Sequence, residues 1–282
     1  MIRIQMACAC AMVGLSLVCG CGGGSKPTSQ ERASRGAKPV VEGRNATSVA
    51  TSEPQLESVP AQSEPGDADF PRGSEAFAEL VTAAQANDGE AWTKAEAKLQ
   101  ALGAQATAAL AARLDDENPV ARELAAMFLA QIGPDAVSAA DGLLKLLKDE
   151  STFARVNAAA ALSTFDGYAE QTAPILTALL ADADENVRLT AATSLRNVGP
   201  AAAKSVSSLA RVLGDPNPQV RAAAATTLGE LGSTAVTSLP ALRRMGTDAD
   251  EAVVTAASQA IRRIAEAARE QNGLAIPASA TE

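Results

Sequence analysis

The chain has 282 residues, is 47% hydrophobic but only 2% aromatic, and carries a net charge of −9 at neutral pH. Apolar surface supplied mainly by Ala, Leu and Val favours closely packed helices over a sheet, and the acidic balance argues against a nucleic-acid partner. There is no histidine, and the four cysteines, Cys8, Cys10, Cys19 and Cys21, all lie in the first 21 residues, so no cofactor, metal centre or thiol chemistry is expected in the body of the protein and it reads as a non-enzyme.

The first segment, "MIRIQMACACAMVGLSLVCGCGGGS", has one positive residue, Arg3, then an apolar run from Met6 to Val18, then small residues around a cysteine. That layout is a secretory signal peptide over residues 1–20, because an apolar run of about 13 residues is short for a membrane-spanning helix. The segment "VCGC" resembles the lipobox of bacterial lipoproteins, with Gly20 before Cys21 and Val18 three residues back. The resemblance implies that Cys21 is lipidated and becomes the first residue after cleavage, which places the protein in a bacterial cell envelope, tied to a membrane by buried acyl chains.

Residues 21–73 are rich in Gly, Ser, Pro, Gln and Glu. They hold too little apolar surface to offset the cost of ordering the chain, so this stretch is expected to be a disordered tether. Some fifty flexible residues reach roughly 40 Å. The sequon "NAT" at Asn45 is read as chance, since the lipobox points to a bacterium.

From residue 74 to 270 the chain repeats itself. A leading helix is expected from about Ser74 to Ala86, and Asp88 then caps a helix in which Leu99 and Leu102 pack and which Gly103 stops. Beyond it the period is 33, and the unit beginning at Asp88 lacks three residues between Gly103 and Leu110. At that step Asn118, Ser151, Asp184, Asn217 and Asp250 form a column of N-cap residues, followed by Pro119, Thr152, Glu185, Pro218 and Glu251, types suited to a first helical position. Ala125, Ala158, Ala191, Ala224 and Ala257 are the small interior column, and Leu129, Leu162, Leu195, Leu228 and Ile261 continue one apolar face. Gly133, Gly199 and Gly232 are C′ glycines, with Asp166-Gly167 a variant. A second helix in each unit is marked by Leu110, Leu143, Leu176, Leu209 and Leu242, and it ends at an acidic turn holding Asp116, Asp149, Asp182, Asp215 and Asp248. A final helix is expected from Asp250 to about Arg269, with residues 271–282 a disordered tail.

Matched periodicity of this length means a stacked array, not a single globular core. The repeated pattern D-x5-R-xx-AA-xx-L-xx-[IV]-G, fullest in "DADENVRLTAATSLRNVG" and "DPNPQVRAAAATTLGELG", resembles the short HEAT-like repeats of the phycobilin-lyase type over about residues 88–266. The resemblance implies an all-α, right-handed α-solenoid of about five two-helix repeats between capping helices. It also implies an Asp/Arg ladder between adjacent repeats, carried over as Asp116 with Arg122, Asp149 with Arg155, Asp182 with Arg188 and Asp215 with Arg221. Trp92 and Val254 stand where Arg is absent at the two ends.

No nucleophile, base or metal constellation stands out. "DDEN" and "DADEN" are read as helix-capping turns, since they lack the glycine and glutamate spacing of an EF-hand. Some relatives in the resembling family attach bilins or hold di-iron centres, but the iron class depends on His-Glu pairs and this chain has no His. The expected function is therefore a non-catalytic protein-interaction scaffold, with an accessory role in the bilin-lyase manner or a purely structural envelope role as alternatives. The outward column of the second helices, Lys145, Ala178, Arg211 and Arg244, with Lys148 and Lys204 nearby, is a partly basic strip and the candidate site for another protein or an acidic peptide. The alternative for that strip is an ordinary solvated helix face.

Overall fold

A computed structural model describes residues 69–271. The signal segment, the lipidation site Cys21 and all but the last residues of the tether lie outside the described residues, as does the tail after Gln271. The described part is entirely helical: α1 (Asp69–Ala86), α2 (Gly89–Leu102), α3 (Thr107–Ala111), α4 (Pro119–Ile132), α5 (Ala140–Leu146), α6 (Thr152–Leu162), α7 (Ala169–Leu179), α8 (Glu185–Val198), α9 (Val206–Val212), α10 (Pro218–Glu230), α11 (Leu239–Arg244) and α12 (Glu251–Gln271). The boundaries expected at 74 and 270 move outward, since α1 takes in five residues assigned to the tether and α12 includes Gln271.

Each first helix begins where its cap dictates. The Asn118 side chain accepts from the Val120 amide at 3.0 Å, Asp184 from Asn186 at 2.8 Å, Asn217 from Gln219 at 2.8 Å and Asp250 from Ala252 at 2.9 Å. Ser151 accepts from Ala154 at 3.3 Å. Pro119 and Pro218 occupy the opening turns of α4 and α10, where no amide donor is missed. At the far end Gly133 and Gly199 take φ of 74° and 61° with ψ of −141° and −134°. That is not the left-handed helical cap expected of C′ glycines but a region effectively reserved for residues without a Cβ. It turns the chain sharply into the next element.

That next element differs from the single second helix expected. After Gly133, Gly199 and Gly232 the chain runs through seven-residue 3₁₀ segments, 133–139, 199–205 and 232–238, before the short helices α5, α9 and α11. In the first unit the same segment is Gly103–Ala106, four residues long, so the three-residue deletion is absorbed wholly there. The unit built on α6 has no 3₁₀ lead: Asp166-Gly167 makes the turn, with Gly167 at φ 89°, and α7 is a continuous helix of 11 residues.

The helices form two rows. α4, α6, α8, α10 and α12 stack consecutively in the first row, and α3, α5, α7, α9 and α11 of the second row each pack on the first-row helix that follows. α1 covers α2 and α3 at the N-terminal end. The core is the repeated columns themselves: Ala125, Ala158, Ala191 and Ala224 are fully buried, as are Leu129, Leu162, Leu195 and Leu228 and the second-row leucines Leu143, Leu176, Leu209 and Leu242. The column lapses at its last member, where Ile261 is only half-buried, since among the described residues no later helix packs outside α12. Small residues let the first row close up: a Cβ on Gly229 of α10 would lie 2.8 Å from the Ala260 Cα of α12. Thr227 adds a buried hydrogen bond from its hydroxyl to the Ala192 carbonyl of the preceding repeat, at 2.7 Å. The architecture is an all-α solenoid.

Candidate interaction surface

The acidic turns and the arginines of the 33-residue column meet at the joints between repeats, but the carboxylate pairing runs one repeat further than expected. Arg122 donates from Nε and Nη2 to the two oxygens of Asp149 at 2.8 and 3.0 Å. Arg188 does the same to Asp215 at 2.6 and 2.9 Å, and Arg221 to Asp248 at 2.9 and 2.7 Å. The aspartate of the same unit contributes its backbone instead: Nη1 of Arg122, Arg155, Arg188 and Arg221 reaches the main-chain oxygens of Asp116, Asp149, Asp182 and Asp215 at 2.9, 2.7, 3.0 and 2.9 Å. The pairs Asp116 with Arg122, Asp149 with Arg155, Asp182 with Arg188 and Asp215 with Arg221 are thus carbonyl contacts, and the ion pairs are Arg122–Asp149, Arg188–Asp215 and Arg221–Asp248.

The reason is the planar guanidinium, whose donors point in fixed directions. One edge forks onto the next repeat's carboxylate while the remaining nitrogen caps its own turn. Each of those carboxylates also accepts the amide two residues on, Asp149 from Ser151, Asp215 from Asn217 and Asp248 from Asp250, at 2.8 to 2.9 Å. An arginine of one repeat therefore holds, through that aspartate, the residue that caps the next.

The charges respond accordingly. The Arg122 hydrogen bond holds the Asp149 carboxyl below its ordinary value, and Arg221 does the same for Asp248. Burial pushes Asp215 up, but the hydrogen bonds from Arg188 and the Asn217 amide outweigh it and the net shift is downward. Glu123 moves the other way because burial raises it, with a hydrogen bond from the Ser151 hydroxyl opposing.

One rung is missing. Arg155 donates to the Asp149 and Glu150 carbonyls at 2.7 and 2.9 Å and to the Thr152 hydroxyl at 2.9 Å, and among the described residues it forms no ion pair with Asp182. This gap falls at the irregular unit built on α6 and α7. At the N-terminal end Asp116 pairs only loosely with Arg113, at 3.6 Å, because Trp92 stands where the preceding arginine would be. Trp92 instead donates its indole N–H to Glu96 at 3.0 Å.

On the second row Lys145, Lys148, Lys204, Arg211 and Arg244 are all exposed, yet they do not form one strip of equal character. Lys145 forms an exposed pair with Asp115 at 3.7 Å, and Ala178 interrupts the column. Arg211 lines a recess of about 280 Å³ between α7 and α9, together with Thr177, Leu180, Ser208, Val212 and Asp215. Its guanidinium donates to the Ser208 hydroxyl at 3.1 Å. Arg243, beside Arg244 at the end of α11, joins the basic set, although it lies outside the 33-residue column that singled out the others. Among the described residues no group of three or more Asp, Glu or Cys side chains is placed to hold a metal ion. No described helix is long and apolar enough to cross a membrane.

A model of HEAT repeats matches residues 107–196 and again 172–262, together more than half of the chain. The protein belongs to the HEAT-repeat family. Among solved structures, this HEAT-repeat chain is similar to an engineered protein at 21% identity, covering 69% of this chain and 97% of that one with a TM-score of 0.51. It also matches the complex of CpcE and CpcF of phycocyanin lyase from Nostoc sp. PCC7120 at 24% identity, covering 55% and 97% with a TM-score of 0.42. Human deoxyhypusine hydroxylase matches at 19% identity over 71% and 98%, with a TM-score of 0.27. No curated protein matches significantly. The engineered neighbour supports the helical repeat fold; the other two likenesses are too loose to speak to function.

Proposed function

We propose that this HEAT-repeat protein is a non-catalytic scaffold of a bacterial cell envelope, lipid-anchored at Cys21, that presents its second-row face to another protein. The observation that carries the reading is where the charges go. The Asp/Arg sets are consumed in joining successive repeats, while Lys148, Lys204, Arg211, Arg243 and Arg244 of the second row are exposed and, among the described residues, stay out of ion pairs. The absence of histidine from the whole sequence and of cysteine beyond Cys21 supports a binding role over catalysis. The lipobox-like "VCGC" supports the anchor.

Two measurements test it. Feeding cells an alkyne-tagged fatty acid should label the wild-type chain and leave Cys21→Ser unlabelled; equal labelling of both removes the anchor. Affinity capture with the full chain from detergent-solubilised envelope should retain a discrete protein. A visible chromophore travelling with the purified chain would overturn the scaffold in favour of an accessory role in bilin attachment.

A further inference from the structure

The two second-row elements 199–214 and 232–246 contain four cations, Lys204, Arg211, Arg243 and Arg244, and not one acidic residue. All four are exposed, and among the described residues none of them is in an ion pair. The earlier second-row stretches are different. Residues 133–148 balance Lys145 and Lys148 against Asp135 and Asp141, and residues 167–181 carry Glu170 alone. On a protein of net charge −9, an acid-free basic face confined to two adjacent repeats is a local concentration of unneutralised positive potential. It borders the recess between α7 and α9, lined by Thr177, Leu180, Ser208, Arg211 and Val212 and by Asp215, whose carboxylate is already held by Arg188.

We infer that the α9–α11 face binds an extended acidic segment of another protein, with one carboxylate side chain entering the α7/α9 recess against Arg211 and a second meeting Arg244. This deepens the scaffold reading and rests on it. Three features favour a peptide over a flat anionic surface. The recess is concave and sized for a side chain. Ser208 places a hydroxyl beside the guanidinium, and an acidic oxygen accepts from both kinds of donor. Arg211 and Arg244 occupy the same position in consecutive repeats. An extended polyproline-type segment presents every third residue on the same side, so a ligand with acids at that period turns all of them toward this face.

The test uses the purified full chain and a fluorescein-labelled peptide of Glu-Pro-Ala repeats, with a Gln-Pro-Ala peptide as control. The wild type should bind the Glu peptide, more weakly as salt rises, and the Gln peptide should not compete. Arg211→Glu combined with Arg244→Glu should weaken binding about tenfold or more, Arg211→Gln with Arg244→Gln less, and Lys145→Glu little. Ser208→Trp, which fills the recess and keeps every cation, should also weaken it. Unchanged thermal melts keep these effects apart from unfolding. Equal affinity for both peptides, or equal loss on Lys145→Glu, overturns the site. So does binding to phosphatidylglycerol-containing vesicles with none to the peptide. If the double reversal still captures the same envelope protein as the wild type, the site falls while the scaffold stands; if neither captures any, the scaffold falls as well.

Discussion

Arg188 is the arginine whose removal should cost the array most. Arg188→Ala deletes a bidentate pair to Asp215 at 2.6 and 2.9 Å and two contacts to the Asp182 and Ala183 carbonyls at 3.0 and 2.9 Å. The side chains of Arg188 and Asp215 are 12% and 6% exposed. Removing one partner of a buried pair costs about 3–5 kcal/mol, because the other charge is left uncompensated. Here Asp215 keeps the Asn217 amide at 2.9 Å, and the rung lies at the edge of the core, so the expected loss is about 2–4 kcal/mol. Two substitutions grade the scale. Arg155→Ala removes carbonyl contacts but no rung and should cost about 1–2 kcal/mol. Arg113→Ala breaks a half-exposed pair at 3.6 Å and should cost under about 1 kcal/mol. Urea denaturation followed by circular dichroism reads all three. Because coupling between neighbouring repeats maintains a single transition, Arg188→Ala should also lower the apparent m-value as the two halves begin to melt separately. Pairing it with Asp215→Ala in a double-mutant cycle isolates the rung. A loss no larger than that of Arg113→Ala, or a coupling energy near zero, would refute the ladder as the joint between repeats.

Other consequences are equally direct. The depressed carboxyls of Asp149, Asp215 and Asp248 contribute stability that is present above the ordinary unfolded value of about 3.9 and lost as pH falls through their lower folded values. Glu123, raised by burial, works weakly in the opposite sense. The melting temperature should therefore hold between about pH 7 and 5 and fall below about pH 4; a melting temperature that stays level to pH 3 contradicts the assignment. Gly199→Ala forces a Cβ into φ 61°, ψ −134° and should cost about 1–3 kcal/mol in thermal unfolding, although nothing lies within 4 Å of the added methyl; a neutral effect would mean that the turn relaxes freely. Gly229→Ala tests the opposite mechanism, a collision with the Ala260 backbone at 2.8 Å. It should destabilise by about 1–3 kcal/mol and speed hydrogen exchange in α10 and α12 before other helices.

What could be read directly from the residues was local. A cap, the amides that donate to it and the glycine that ends the helix lie within one turn of each other or at fixed steps along one helix, so the columns at Asn118 and Gly133 and the buried Ala and Leu columns announce helix starts, stops and faces, and their recurrence announces stacking. What happens between repeats is not local. Arg122 reaches Asp149 instead of the Asp116 side chain because stacking, not spacing, decides which carboxylate stands before the guanidinium's fork. The same holds for the missing rung at Arg155, where Asp182 matches the pattern perfectly yet the irregular α6–α7 unit leaves the pair unmade. In residues 133–139, 199–205 and 232–238 the buried positions recur every three residues, Ala136 and Ala139, Ala202 and Ser205, Ala235 and Ser238, which is the 3₁₀ period and a demand set by packing, not by helix propensity. The basic strip shows both sides. Sequence spacing put Lys145, Arg211 and Arg244 in one column, but only the folded chain brought Asp115 to Lys145 and opened a recess beside Arg211.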